Sequence, residues 1–87
     1  MKLFLTTKTW KEGKYYIAYT PELEVASQGK TEGEAEKKLR EAVGAFLQSV
    51  KERGLLVQVL KEIGFSRQAK KEWRAPTISI SSVEVAI

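Results

Sequence analysis

An aromatic strand, a proline-led turn, a short strand and a capped helix follow one another without interruption from Tyr15 to Leu47, in the run YYIAYTPELEVASQGKTEGEAEKKLREAVGAFL. That order constrains the chain to a helix laid on strands. Tyr15 to Thr20 puts Tyr15, Ile17 and Tyr19 on one face and Tyr16 and Ala18 on the other. Pro21 has no N–H for a ladder, so it ends this strand or sits at an edge. Val25 to Gln28 reads as a third, short strand. Thr31 with Glu34 makes a capping box at the helix start. Ala35, Leu39, Ala42, Val43, Phe46, Leu47 and Val50 recur at helical spacing and predict a stripe packed on the sheet. On that reading, truncating Phe46 to Ala removes about 3–5 kcal/mol. Glu34–Lys38 and Glu36–Arg40 are favourable i,i+4 pairs, each worth about 0.2–0.5 kcal/mol. Lys51 and Arg53 suit the negative end of the helix dipole, and Gly54 is the natural stop. Gly33 and Gly44 lower helix propensity, and Gly44 is read as a site of close packing.

Before this run, Lys2 to Trp10 alternates weakly and reads as a strand, joined to Tyr15 by the hairpin connection Lys11-Glu12-Gly13-Lys14. The first three strands thus predict an antiparallel meander. Leu55 to Ile63 reads as a short second helix ended by Gly64, with Gln58, Lys61 and Glu62 as its polar residues. Ser66 to Pro76 is polar and basic and reads as a loop with some helical content. Thr77 to Ile87 reads as a closing strand. Its apolar parity changes from Ile78 and Ile80 to Val83, Val85 and Ile87, which one side-chain period cannot hold on one face, so a bulge or break is expected near Ser81-Ser82. The expected fold is α+β: a three-stranded antiparallel meander, a long helix on the sheet, a short second helix and a C-terminal strand, in one domain over residues 1–87.

The chain has no His and no Cys, and all 11 of its acidic residues are Glu. The usual base near neutral pH, thiolate nucleophiles, Cys or His zinc sites and Ser-His triads are therefore excluded. An ordinary enzyme is disfavoured, and no cofactor or metal is expected. Many Lys and Glu with few thermolabile residues fit a heat-adapted source. Leu3-Phe4-Leu5 is too short for a signal peptide, and no stretch approaches the roughly 20 apolar residues of a membrane span. A soluble cytoplasmic protein is the expectation.

Tyr16-Ile17-Ala18, Pro21-Glu22-Leu23, Ser27-Gln28-Gly29, Thr31 and Glu34-Ala35, in that order, resemble the HicB-like antitoxin family. These are small α/β domains with a truncated ribonuclease-H-like fold and the order β-β-β-α-β, often with a small extra helix. Many members carry Pro-Gly-Cys after the Pro-x-Leu unit, whereas Glu24-Val25-Ala26 stands here. That form is similar to the short, stand-alone members rather than to those carrying a further DNA-binding domain. The resemblance implies a protein that binds and neutralises a small HicA-like RNA-cleaving toxin. It does not imply nuclease activity: two-metal sites need clustered carboxylates, and only Glu22 and Glu24 lie near suitable strands, where alternation puts both on one side of a short loop.

Charge and apolar clusters supply the candidate surfaces. The net charge is +4, with Lys2, Lys8, Lys11 and Lys14 concentrated before the second strand. Glu22, Glu24, Glu32 and Glu36 are candidates to face a basic toxin, where complementary charge speeds encounter; the plainer alternative is that such residues favour a helix N-terminus or are solvated in the turn. Arg67, Lys70, Lys71 and Arg74, with Trp73 among them, could hold phosphates while the indole stacks on a base. The alternative is a solvated loop whose Trp73 packs on the core. A small nucleic-acid-binding module is thus the rival to a toxin-binding protein. Leu56, Val59, Leu60, Val83, Val85 and Ile87 are candidates for the interface of a homodimer or higher oligomer, since a core this thin should not absorb so much apolar surface.

Overall fold

The computed structural model describes residues 2–69, 72–76 and 78–87, with the backbone alone at 67–69. Eight elements follow in chain order: β1 Lys2–Phe4, β2 Lys8–Glu12, β3 Tyr15–Thr20, β4 Val25–Gly29, α1 Glu32–Glu52, α2 Leu56–Glu62, β5 Ser66–Ala69 and β6 Glu72–Arg74. The fold is α+β. Its antiparallel meander is β2-β3-β4, and α1 lies across one face of it. A second small sheet has the order β1-β6-β5, with β1 parallel and β5 antiparallel to β6.

The long helix is set by local chemistry at both ends. The Thr31 hydroxyl accepts the Glu34 N–H at 3.1 Å, while the Glu34 carboxylate turns to Lys38 at 3.1 Å. The hydrogen bond from Lys38 is the main cause holding that carboxyl below the usual carboxylate range. At the other end Gly54 takes φ 73°, and the N–H groups of Gly54 and Leu55 reach back to the carbonyls of Lys51 and Val50. This is a Schellman stop, which needs a left-handed residue and therefore favours glycine. Gly64 repeats it at φ 90° after α2, with Phe65 N–H bonded to the Leu60 carbonyl.

Two apolar clusters hold the layers. Ala18, Ala35, Leu39 and Val43 join the first half of α1 to the meander. Val50, Leu56, Leu60, Phe65 and Trp73 join the end of α1 to α2 and the small sheet. Leu5 and Leu47 pack against both clusters. The stripe expected on α1 needs one correction: Phe46 is 43% exposed and Ala42 is exposed as well. Ala42 and Phe46, four residues apart, share one flank of the helix, and that flank is open beside the buried line of Leu39, Val43 and Val50. Gly44 is also corrected, because a Cβ placed there meets nothing within 4 Å.

Three expectations about strands change. Lys2 to Trp10 is two strands, because Leu5 turns inward between the clusters and the Thr6 N–H donates to Glu22 rather than to a ladder. Within 66–76, Ser66–Ala69 and Glu72–Arg74 are paired antiparallel strands rather than loop, with buried Phe65 and Trp73 at their anchors. Strands do follow the helices, but they are β5 and β6, earlier than expected; residues 78–87 carry no regular structure, and Thr77 lies outside the described residues.

Candidate functional site

Glu22 sits just past Pro21 in the β3–β4 loop and turns into the protein. Its Oε1 accepts the Thr6 N–H at 2.9 Å and the Thr20 hydroxyl at 3.0 Å, while its Oε2 is buried without a hydrogen-bond partner among the described residues. It therefore ties the β1–β2 crossover to the loop and is not a surface acid for a partner. Glu24 does the opposite. It is exposed and takes φ 54°, a left-handed conformation that costs a non-glycine residue about 1–3 kcal/mol. The two carboxylates thus diverge, where strand alternation would have put them side by side. Glu32 is exposed in the first turn of α1, and Glu36 accepts a bond from the Thr9 hydroxyl at 3.3 Å.

Glu36 also helps to line a cleft of about 240 Å³ between α1 and the strands, with Leu5, Leu39 and Val43 as its apolar wall and Thr7, Thr20 and Arg40 at its polar positions. Such a pocket can take an apolar side chain with a polar tip. Among the described residues no Glu36–Arg40 ion pair forms, and no three acidic groups cluster to hold a metal ion.

The basic candidates separate. Trp73 is 5% exposed within the second cluster, so its indole is core and cannot stack on a base. Arg74 is exposed, with its guanidinium 4.1 Å from the centre of the Phe4 ring. Lys70 and Lys71 lie outside the described residues, as does the Arg67 side chain. The apolar interface candidates separate too. Leu56 and Leu60 are buried in their own core, which removes these two as a contact surface, while Val59 is half-buried against it. The exposed apolar residues at and near α2 are Leu55 and Val57 instead, and Val83, Val85 and Ile87 are exposed.

One surface was read from the sequence only as core or sheet-face residues, Trp10 and the tyrosines of β3. Ala18 and Thr20 are buried on the α1 side of β3, with Tyr16 packed there as well, so alternation turns Tyr15, Ile17 and Tyr19 outward. The register sets Trp10 beside Ile17, Lys8 beside Tyr19 and Glu12 beside Tyr15, with Ala26 and Gln28 completing the face on β4. Trp10 is 42% and Tyr15 44% exposed. The signal was present as the Tyr15/Ile17/Tyr19 alternation, but recognising an open face required knowing that the helix covers only the other one.

In comparisons with known proteins, no protein-family model matches the chain, and no curated protein and no solved structure matches it. Among the described residues no helix is long and apolar enough to cross a membrane.

Proposed function

We propose that the chain is a HicB-like, antitoxin-type interaction protein that binds and neutralises a small HicA-like RNA-cleaving toxin. The observation that carries this reading is the uncovered sheet face of Trp10, Tyr15, Ile17 and Tyr19. Tyr and Trp are enriched where proteins meet, because they bury a large apolar area and keep a polar tip. The motif behind the family resemblance supports it: Tyr16-Ile17-Ala18 lies on β3, Ser27-Gln28-Gly29 on β4, and Thr31 caps α1. Glu24 and Glu32, exposed on either side of β4, add negative charge for a basic partner. In this reading the chain is cytoplasmic, comes from a heat-adapted source and is not an enzyme, in keeping with its lack of His, Cys and Asp. It also self-associates as a homodimer or higher oligomer, supported by the exposed Leu55, Val57 and residues 78–87.

The test is titration calorimetry against a small basic HicA-like toxin. Binding is expected, with Trp10→Ala weakening it at least tenfold and Glu24→Lys slowing association. Affinity unchanged by Trp10→Ala and Tyr15→Ala together would remove the sheet face from the reading. The competing nucleic-acid module would use the basic N-terminal and 67–74 clusters, and Lys8 beside Tyr19 puts one of those charges on the aromatic face. Its mark is salt: RNA affinity held by several Lys falls steeply as ionic strength rises.

A further inference from the structure

We infer that residues 78–87 of one copy add as a strand to the free edge of β4 in a second copy, so that two copies exchange these segments. The inference rests on the self-association proposed above and names the parts that carry it.

The donor is apolar and finds no cover in its own chain. Ile78, Ile80, Val83, Val85 and Ile87 make up half of this segment, and Glu84 is its only charge. Every residue of it is exposed, with Val83 at 82% and Val85 at 73%. β-branched residues in alternation suit a pleated surface, and here that surface must come from elsewhere. Residues 78–82, at about 3.3 Å each when extended, give an arm of roughly 16 Å, and Val83 to Ile87 then form the pairing run. This order gives the parity change at Ser81-Ser82 a role, since the arm and the pairing run meet different neighbours.

The acceptor follows by elimination among the open edges. Edge strands that avoid pairing are short, charged, bulged or interrupted by Pro. β1 has three residues and carries Lys2. β5 is broken by a register shift between Arg67 and Ala69. β2 carries Lys8, Lys11 and Glu12. β4 has none of these guards: its five residues, Val25-Ala26-Ser27-Gln28-Gly29, hold no charge, no Pro and an unbroken register with β3. Its outer backbone groups make no hydrogen bond to another described residue. A shallow depression of about 190 Å³, lined by Ile17, Ala26, Ser27 and Gln28, runs beside this edge. The length of the Val83 to Ile87 run equals that of β4, and Glu84 would face no like charge there.

The experiment uses the full chain at micromolar concentration. Sedimentation equilibrium should give twice the chain mass. A one-to-one mixture of isotope-labelled and unlabelled chains should show intermolecular NOEs between residues 83–87 and β4. The double variant Val83→Asp, Val85→Asp should sediment as a single chain with an unchanged helical circular-dichroism spectrum, because neither side chain belongs to the core. A monomeric unmodified chain would overturn both this inference and the self-association. A dimer that survives the double variant, or whose intermolecular NOEs fall on α2, β2 or the Trp10 face, would overturn the strand exchange and leave self-association standing.

Discussion

Gly29 and Gly44 look alike in the sequence and have opposite roles. A Cβ on Gly29 would lie 2.7 Å from the Ala35 backbone N and 2.9 Å from the Glu34 Cβ, whereas one on Gly44 meets nothing within 4 Å. The end of β4 therefore touches the first turn of α1 backbone to backbone, and that contact fixes where the helix starts on the sheet. Neither neighbour can swing away, because Ala35 is fully buried and the Glu34 N–H is held by Thr31. Gly29→Ala is expected to destabilise by about 1–3 kcal/mol through overpacking. Gly44→Ala is expected to stabilise by about 0.5–1 kcal/mol, since it improves propensity in an exposed helix interior. Urea denaturation of the two variants measures both; the same sign for both would refute the contact at Gly29. Glu22 makes a related point. Its neighbours Pro21 and Leu23 mark a turn, but only its bonds to Thr6 and Thr20 distinguish a tether from a surface acid, and those partners are remote in the chain or side-chain specific.

At the scale of elements, what was legible in the sequence was whatever local chemistry decides. Thr31 and Gly54 bound α1, alternation marks β3, and Gly64 ends α2; each signal lies within a few residues of its effect. The β5–β6 pairing was not legible, because β6 has three residues and is held by buried Trp73, paired with distant β1. Residues 78–87 read as a strand from composition, yet a strand also needs a ladder, and the described chain offers them none. Of the candidate site, Glu24 and Glu32 lie at exposed positions and Trp73 packs on the core, as one of its two sequence readings had it, whereas Glu22, Leu56 and Leu60 lie inward because burial is set by tertiary packing. Phe46 is the clearest case on α1. Helical spacing places it in the stripe, but with Ala42 it lies on an open flank of the helix. Phe46→Ala is therefore expected to cost well under the roughly 3–5 kcal/mol of a buried Phe truncation. Leu60→Ala, at a fully buried position, is expected to cost about 2–5 kcal/mol. Thermal denaturation that ranked Phe46 above Leu60 would contradict this layout.

At the scale of the whole molecule, the chain has two clusters and one long helix that serves both. The first cluster takes Ala35, Leu39 and Val43 from α1, the second takes Val50, and Leu47 touches each. Leu5 plays the same part from the strand side, in the crossover that Glu22 tethers. A small domain buries little apolar surface per residue, so neither cluster has much stability to spare without the other. Cooperative unfolding follows if α1 cannot lose one half while keeping the other. The two tryptophans make this measurable. Trp73 is buried in the second cluster and Trp10 half-exposed on the open sheet face, so in a Trp10→Phe background fluorescence reports the second cluster alone. Far-UV circular dichroism reports chiefly α1. The two urea transitions are expected to coincide, as in two-state unfolding, and Leu47→Ala should lower both midpoints together. An earlier fluorescence transition would instead mean that α2 and the small sheet open while the meander and the first half of α1 persist, and the chain would then be two stability units sharing a helix.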